Sequence, residues 1–247
     1  MESSKKKNIY LMDYIKNAYE YALERKNHLL ILLLIILGII GLSIGYYFYQ
    51  DGLQRRAQKD LVKDVAVLQA PVHTPDMQSE DLSLDSEFFT SQEEKWTKVA
   101  QNFESDYQKN KGAGIAPMFL AYQAEALINL GKLDSAIQVL KKLISSAPES
   151  VVKSFYKVKL ALVSIDSGNK DLEKEGVEIL KSIGLESQNP AHPMALYYLG
   201  QYYWFAKNFD EAKNYWNQLI LKYGKRTEKA SVWAEKAKVY LKLISVK

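Results

Sequence analysis

Residues 29–49 read LLILLLIILGIIGLSIGYYFY and hold no charged side chain. At about 1.5 Å of rise per residue, a helix of this length is roughly 30 Å long, the thickness of a hydrocarbon core. Lipid offers no water to the backbone, so such a segment must satisfy its own N–H and C=O groups as a helix. One membrane-crossing helix is therefore expected, followed by the amphipathic sequence of residues 50–247. A cleaved signal peptide fits less well. The run exceeds the roughly 7–15 apolar residues of a signal, residues 1–28 precede it, and Tyr46-Tyr47-Phe48-Tyr49 stands where a small-x-small cleavage site would be needed. Those aromatic rings suit the headgroup region. The sequence has no cysteine, which excludes disulfides and thioether or palmitoyl anchors.

Lys5, Lys6, Lys7, Lys16, Arg25 and Lys26 precede the apolar run, and Arg55, Arg56, Lys59 and Lys63 follow it. The positive-inside rule favours a cytoplasmic N-terminus, and long downstream domains translocate largely regardless of charge. The expected order is a cytoplasmic amphipathic segment at 1–28, a transmembrane helix at 29–49 and an extracytoplasmic remainder. Gly41 and Gly45 form a GxxxG pair with Gly38 on the same side, a face that lets a second helix approach closely.

Beyond the run, Leu53, Ala57, Leu61, Val65 and Leu68 recur at spacings of four and three, so the helix is expected to continue as an amphipathic stalk over 50–70. Residues 71–90 hold Asp76, Glu80, Asp81, Asp85 and Glu87 with Pro71 and Pro75 and no Lys or Arg, the composition of a solvated acidic linker. Residues 91–247 form the remaining domain. With 47 % hydrophobic and 25 % charged residues, the composition is that of a globular protein. A formal net charge of +4 is too small to imply nucleic acid as a partner.

Catalytic apparatus is not visible. His28, His73 and His192 are isolated, and without cysteine, an HExxH, a phosphate-binding glycine loop or a Gly-x-Ser-x-Gly elbow, no catalytic residue, metal or cofactor is expected. Asp171, Glu173, Glu175 and Glu178 read as a solvated helix face.

From residue 91 onward the apolar spacing is helical throughout, broken by Gly, Asn or Pro. Leu120, Ala124, Leu127 and Ile128 mark one helix, and Ala136, Ile137, Leu140 and Leu143 the next, with a break at Gly131. The pattern recurs in Leu196, Leu199, Gly200 and Tyr203, a turn at Lys207-Asn208, then Ala212, Trp216, Leu219 and Ile220. These pairs resemble the tetratricopeptide repeat, a helix-turn-helix unit of about 34 residues. Leu199-Gly200-x-x-Tyr203 matches its first-helix signature, and Ala212 stands where the second helix needs a small residue. Ala124, Gly131, Ala136, Leu140, Leu143 and Pro148 occupy the matching places in an earlier unit, giving registers from Pro117 and Pro193. A middle unit from Val151 is degenerate, with an expected enlarged turn at 167–171 and Gly176 in place of Ala. A final helix from Thr227 to about Ile244 looks like a solenoid cap. The expected fold class is all-α, an N-terminal transmembrane helix followed by a tetratricopeptide-like α-solenoid.

The whole layout, from the amphipathic opening at Tyr14-Ile15-Lys16-Asn17 through the span with its aromatic end to the repeats, resembles the YfgM-like family of ancillary SecYEG translocon subunits. That resemblance implies a bacterial inner-membrane protein. It also implies partners among translocon subunits, a membrane-anchored chaperone and unfolded exported polypeptides. A structural scaffold for division or envelope-assembly complexes is the alternative.

In a repeat solenoid the first helices line the concave face. Here that face is expected to hold Val152, Phe155, Lys159 and Leu162, then Met194, Tyr197, Gln201, Trp204 and Phe205. Aromatic side chains bury large area at low entropic cost, which suits peptide binding. Trp204 and Phe205 also suit a covered core beneath the cap or the stalk, and the sequence leaves both readings open.

Overall fold

The computed structural model describes residue 16 and residues 25–72, 88–148, 151–224 and 231–245. Most of the expected N-terminal amphipathic segment and the centre of the acidic linker lie outside the described residues. The chain divides into two compact units, Met1–Arg55 and Arg56–Lys247.

Helix α1, Lys26–Gln69, takes in both the apolar run and the expected stalk. In the first unit its large apolar side chains between Leu30 and Tyr49 are 45–78 % exposed, so nothing in the unit covers them. The helix is long and apolar enough to cross a membrane. Asp51 and Arg55 pair at 2.8 Å where the apolar run has ended.

Among its described residues the second unit holds the end of α1 and eight further helices: α2 Gln92–Asn110, α3 Ala116–Asn129, α4 Leu133–Ser146, α5 Val151–Asp166, α6 Lys170–Leu185, α7 His192–Phe205, α8 Phe209–Tyr223 and α9 Val232–Ser245. The stalk portion of α1 packs within this unit. Ala57, Asp64 and Val67 are buried, Asn110 Nδ2 donates to Asp60 at 2.7 Å, and Lys95 Nζ donates to the Ala70 carbonyl at 2.7 Å. An isolated parallel bridge joins Val72 and Phe89, bringing the two described ends of the linker together. Just beyond, Ser91 caps α2 by accepting from the Glu94 N–H at 3.1 Å, and the Glu94 carboxylate accepts from the Thr90 N–H at 2.8 Å. These bonds satisfy donors that a helix start otherwise leaves orphaned.

Each later helix packs on its neighbour in sequence, and α9 covers both α7 and α8. Prolines pre-set for a helix's first turn open α3 at Pro117 and α7 at Pro193, as the repeat register predicted. The cores bridge successive pairs. Ala124, Ala136, Ile137 and Leu140 meet Leu160 and Val163 of the next pair; Val158, Ala161, Val177, Leu180 and Ile183 meet Ala195 and Leu199; and Leu196, Ala212, Trp216 and Leu219 meet Ala234 and Ala237 of α9. Burial that runs from neighbour to neighbour is the energetic grammar of a solenoid, in which no pair can cover its own apolar face alone.

The middle pair corrects one expectation. Its turn is not enlarged. Residues 167–169 connect α5 to α6 just as 130–132 and 206–208 connect the other pairs, and the added length lies in α5 itself, 16 residues against 14 in α3 and α7. Nor is Gly176 a sign of decay, because a Cβ there would fall 2.5 Å from the Ala161 carbonyl oxygen. The α5–α6 crossing is closer than an alanine allows.

All three connections turn through a residue with positive φ: Gly131 at 69°, Gly168 at 75° and Lys207 at 59°. At Lys207 the turn is closed by bonds from its N–H to the Trp204 carbonyl and from the Asn208 N–H to Tyr203, the paired bonds of a Schellman cap. A left-handed conformation costs a side-chain-bearing residue about 1–2 kcal/mol, partly returned by glycine's greater freedom when unfolded. Lys207→Gly is accordingly expected to stabilise the domain by about 0.5–1 kcal/mol, a rise of roughly 1–4 °C in a thermal melt. An unchanged or lower Tm would contradict the cap assignment.

Candidate functional site

The first helices of the second and third pairs, α5 and α7, lie side by side and form two adjoining hollows. The first, of about 470 Å³, is lined by Val152, Phe155, Tyr156, Lys159 and Leu162 of α5 with Met194 of α7. Its surface is almost wholly carbon. Val152 is 57 % and Phe155 40 % exposed, and the Lys159 ammonium is engaged by Glu125 of α3. The second hollow, of about 490 Å³, shares Leu162 and adds Ile165, Asp166, Glu173, Tyr198, Gln201, Tyr202 and Phe205. It is acidic and aromatic. Tyr202 Oη donates to Glu173 Oε1 at 2.9 Å, and Phe205 stands 72 % exposed at the mouth. Burial, reinforced by the Glu173 bond, pushes the Tyr202 phenol above its ordinary pKa and keeps it a neutral donor.

The predicted lining residues thus part company. Val152, Phe155, Lys159, Leu162 and Met194 share the first hollow, and Gln201 and Phe205 belong to the second. Tyr197 does not line either. It is only 6 % exposed, its ring centroid lies 5.2 Å from that of Trp233 in α9, and its hydroxyl, like that of Tyr240, accepts from Gln201 Nε2 at 3.0 Å. Burial, then the neighbouring Tyr240, drives its phenol pKa upward. Trp204 packs edge-on against Tyr240 at 5.2 Å and faces a separate hollow of about 660 Å³ with Phe209, Leu243 and Ile244. For these two aromatics the covering by the C-terminal helix decides between core and groove.

Seven residues of the hollows were missed by repeat position alone: Tyr156, Ile165, Asp166, Glu173, Tyr198, Tyr202 and Ala206. The expected solvated face of α6 holds at Asp171 and Glu178, which are exposed, and needs correction at Glu173 and Glu175. Glu173 accepts from Tyr202, Glu175 pairs with Lys141 of α4 at 2.8 Å, and Glu178 pairs with Lys181 at 3.0 Å. Only cross-helix geometry reveals the first two. His192 is buried against Tyr223, its Nδ1 2.9 Å from the phenol oxygen, and burial with Lys222 nearby holds the imidazole below its usual pKa. His28 is exposed and His73 lies outside the described residues.

In the first unit, a Cβ added to Gly38, Gly41 or Gly45 would meet no atom within 4 Å, so this face is open among the described residues.

The sequence profile of the tetratricopeptide repeat-like domain matches residues 24–230, a range that takes in α1 as well as the three helix pairs. No curated protein and no solved structure matches the chain. Repeat signature, neighbour-to-neighbour core and profile agree, and the chain belongs to the tetratricopeptide repeat-like domain family.

Proposed function

We propose that this is a non-catalytic, membrane-anchored repeat protein that holds polypeptide along the α5–α7 groove, as an accessory of the protein-export translocon on the outer side of a bacterial inner membrane. The observation that carries the reading is the open, apolar first hollow on the row of first helices, the surface that repeat solenoids present to extended partners. Membrane anchoring is supported by the uncovered apolar stretch of α1 and its aromatic end. The N-terminus is cytoplasmic in this reading, from the clustered lysines before the span.

The open Gly38, Gly41 and Gly45 face favours a second reading, a scaffold that joins other membrane proteins through its span and seats one folded partner on the solenoid. A photo-crosslinking residue in place of Phe155, in living cells, separates the two. Many partners of varied size support the client-holding reading, and a single defined adduct supports the scaffold. Protease accessibility beyond Tyr49 in cells stripped of their outer layer tests the topology, and protection of the repeat domain would exclude an export role. If Phe155 is an anchor for clients, Phe155→Ala should weaken client binding by about 2 kcal/mol, roughly thirtyfold, without lowering Tm appreciably.

A further inference from the structure

The groove's two hollows differ in chemistry, and the difference defines what a bound segment must carry. The first is apolar, with its one cation neutralised by Glu125. The second has no lysine or arginine in its lining, while Asp166 has no partner among the described residues and Glu173 receives one bond from Tyr202. The ammonium nearest Glu173 is that of Lys170, 3.7 Å away and 93 % exposed, a pair weakened by solvent. Leu162 and Ile165 offer an apolar floor for an aliphatic stem. Tyr198, Tyr202 and Phe205 surround it with aromatic rings that attract a cation over their faces.

We propose that the groove recognises an extended polypeptide segment by two side chains, a large apolar one seated in the first hollow and a lysine or arginine seated between Asp166 and Glu173 in the second. This rests on the groove reading above and adds a sequence rule to it. From Phe155 to Ile165 the helix rises about 15 Å at 1.5 Å per residue, which an extended chain covers in about four to five residues at roughly 3.3 Å each. The preferred segment therefore has its apolar and basic residues four or five positions apart. A segment with a carboxylate in place of the base would bring like charges together in a partly desolvated site.

The test uses the full chain in lipid nanodiscs and fluorescein-labelled decapeptides of Gly and Ser carrying Leu with Arg, Leu with Glu, Leu alone or Arg alone at those spacings. Fluorescence anisotropy should show the Leu/Arg peptides binding about tenfold or more tighter than Leu/Glu, with the advantage shrinking in 0.5 M NaCl. Asp166→Lys, at an exposed position where folding can be checked by circular dichroism, should abolish or invert the preference, while Phe155→Ser should weaken every Leu-bearing peptide. Equal binding of Leu/Arg and Leu/Glu peptides, still lost in Phe155→Ser, would overturn the two-side-chain rule and leave the groove in place. Failure of every peptide to bind would overturn the rule and the groove reading together.

Discussion

Trp216→Ala will destabilise the C-terminal repeat by about 3–5 kcal/mol, the range for emptying a fully buried indole site, and Gly200→Ala will cost about 1–3 kcal/mol by overpacking the same spot. Trp216 is 0 % exposed, stacks on Tyr240 with centroids 5.0 Å apart and donates from Nε1 to the Tyr197 carbonyl at 3.1 Å. A Cβ on Gly200 would fall 2.5 Å from the Cδ1 and Cε2 atoms of that indole, which is held on its other side by α9 and cannot retreat. The two changes are therefore coupled with a definite sign. Once Trp216 is alanine the obstruction is gone, and Gly200→Ala should become neutral or stabilising by up to about 1 kcal/mol through helix propensity. Thermal melts of wild type, both single variants and the double variant close the cycle. Additive losses would show that Gly200 is not there to admit the indole.

The repeat architecture was legible because two of its signals are local and steric. A small residue where the second helix crosses the first, and a proline opening a first helix, leave marks at fixed spacing, and Ala136, Ala212, Pro117 and Pro193 carried them. The middle unit looked degenerate because Gly176 departs from the usual alanine, yet the departure is a tighter version of the same device. The groove was less legible. Repeat position places a side chain on the concave row but says nothing of what a later helix lays over it, and α9 claims Tyr197 and part of Trp204 through Trp233 and Tyr240. An alanine scan over Tyr197 and Trp204 would thus report unfolding before it reported binding, whereas Phe155 and Phe205 remain exposed enough to report the latter. Glu173 and Asp166 escaped for a related reason. A carboxylate on an amphipathic helix looks solvated in sequence until a phenol from another helix, here Tyr202, is seen beside it.

Replacing Asp64 should stabilise the protein at neutral pH, an outcome that runs against the usual effect of altering a buried residue. Asp64 lies in the stalk portion of α1, 2 % exposed, with Oδ2 unpartnered among the described residues. Burial first, then the carboxylates of Asp106 on α2 and Asp60 one turn away, push its pKa from 3.8 to about 6; Lys63 opposes the shift weakly. Between those values the folded protein holds a proton that the unfolded chain has released. The contribution of Asp64 to stability is therefore most favourable below about pH 4, falls as pH rises through 6, and is flat beyond it. Asp64→Asn keeps the shape and removes the charge, and its amide can donate towards the Asp106 carboxylate. The variant should be more stable than wild type by about 1–3 kcal/mol at pH 7.5 and nearly equal to it at pH 4, the gap opening between pH 4 and 6 in urea titrations. Because Asp106 is itself paired with Lys109 and Asn110 bonds to Asp60, the neighbours stay engaged in the variant. A gap that is constant with pH would mean that the Asp64 pKa is the same folded and unfolded, and a variant less stable than wild type at pH 7.5, with the deficit closing in acid, would mean that the stalk is held to α2 by its charge and not in spite of it.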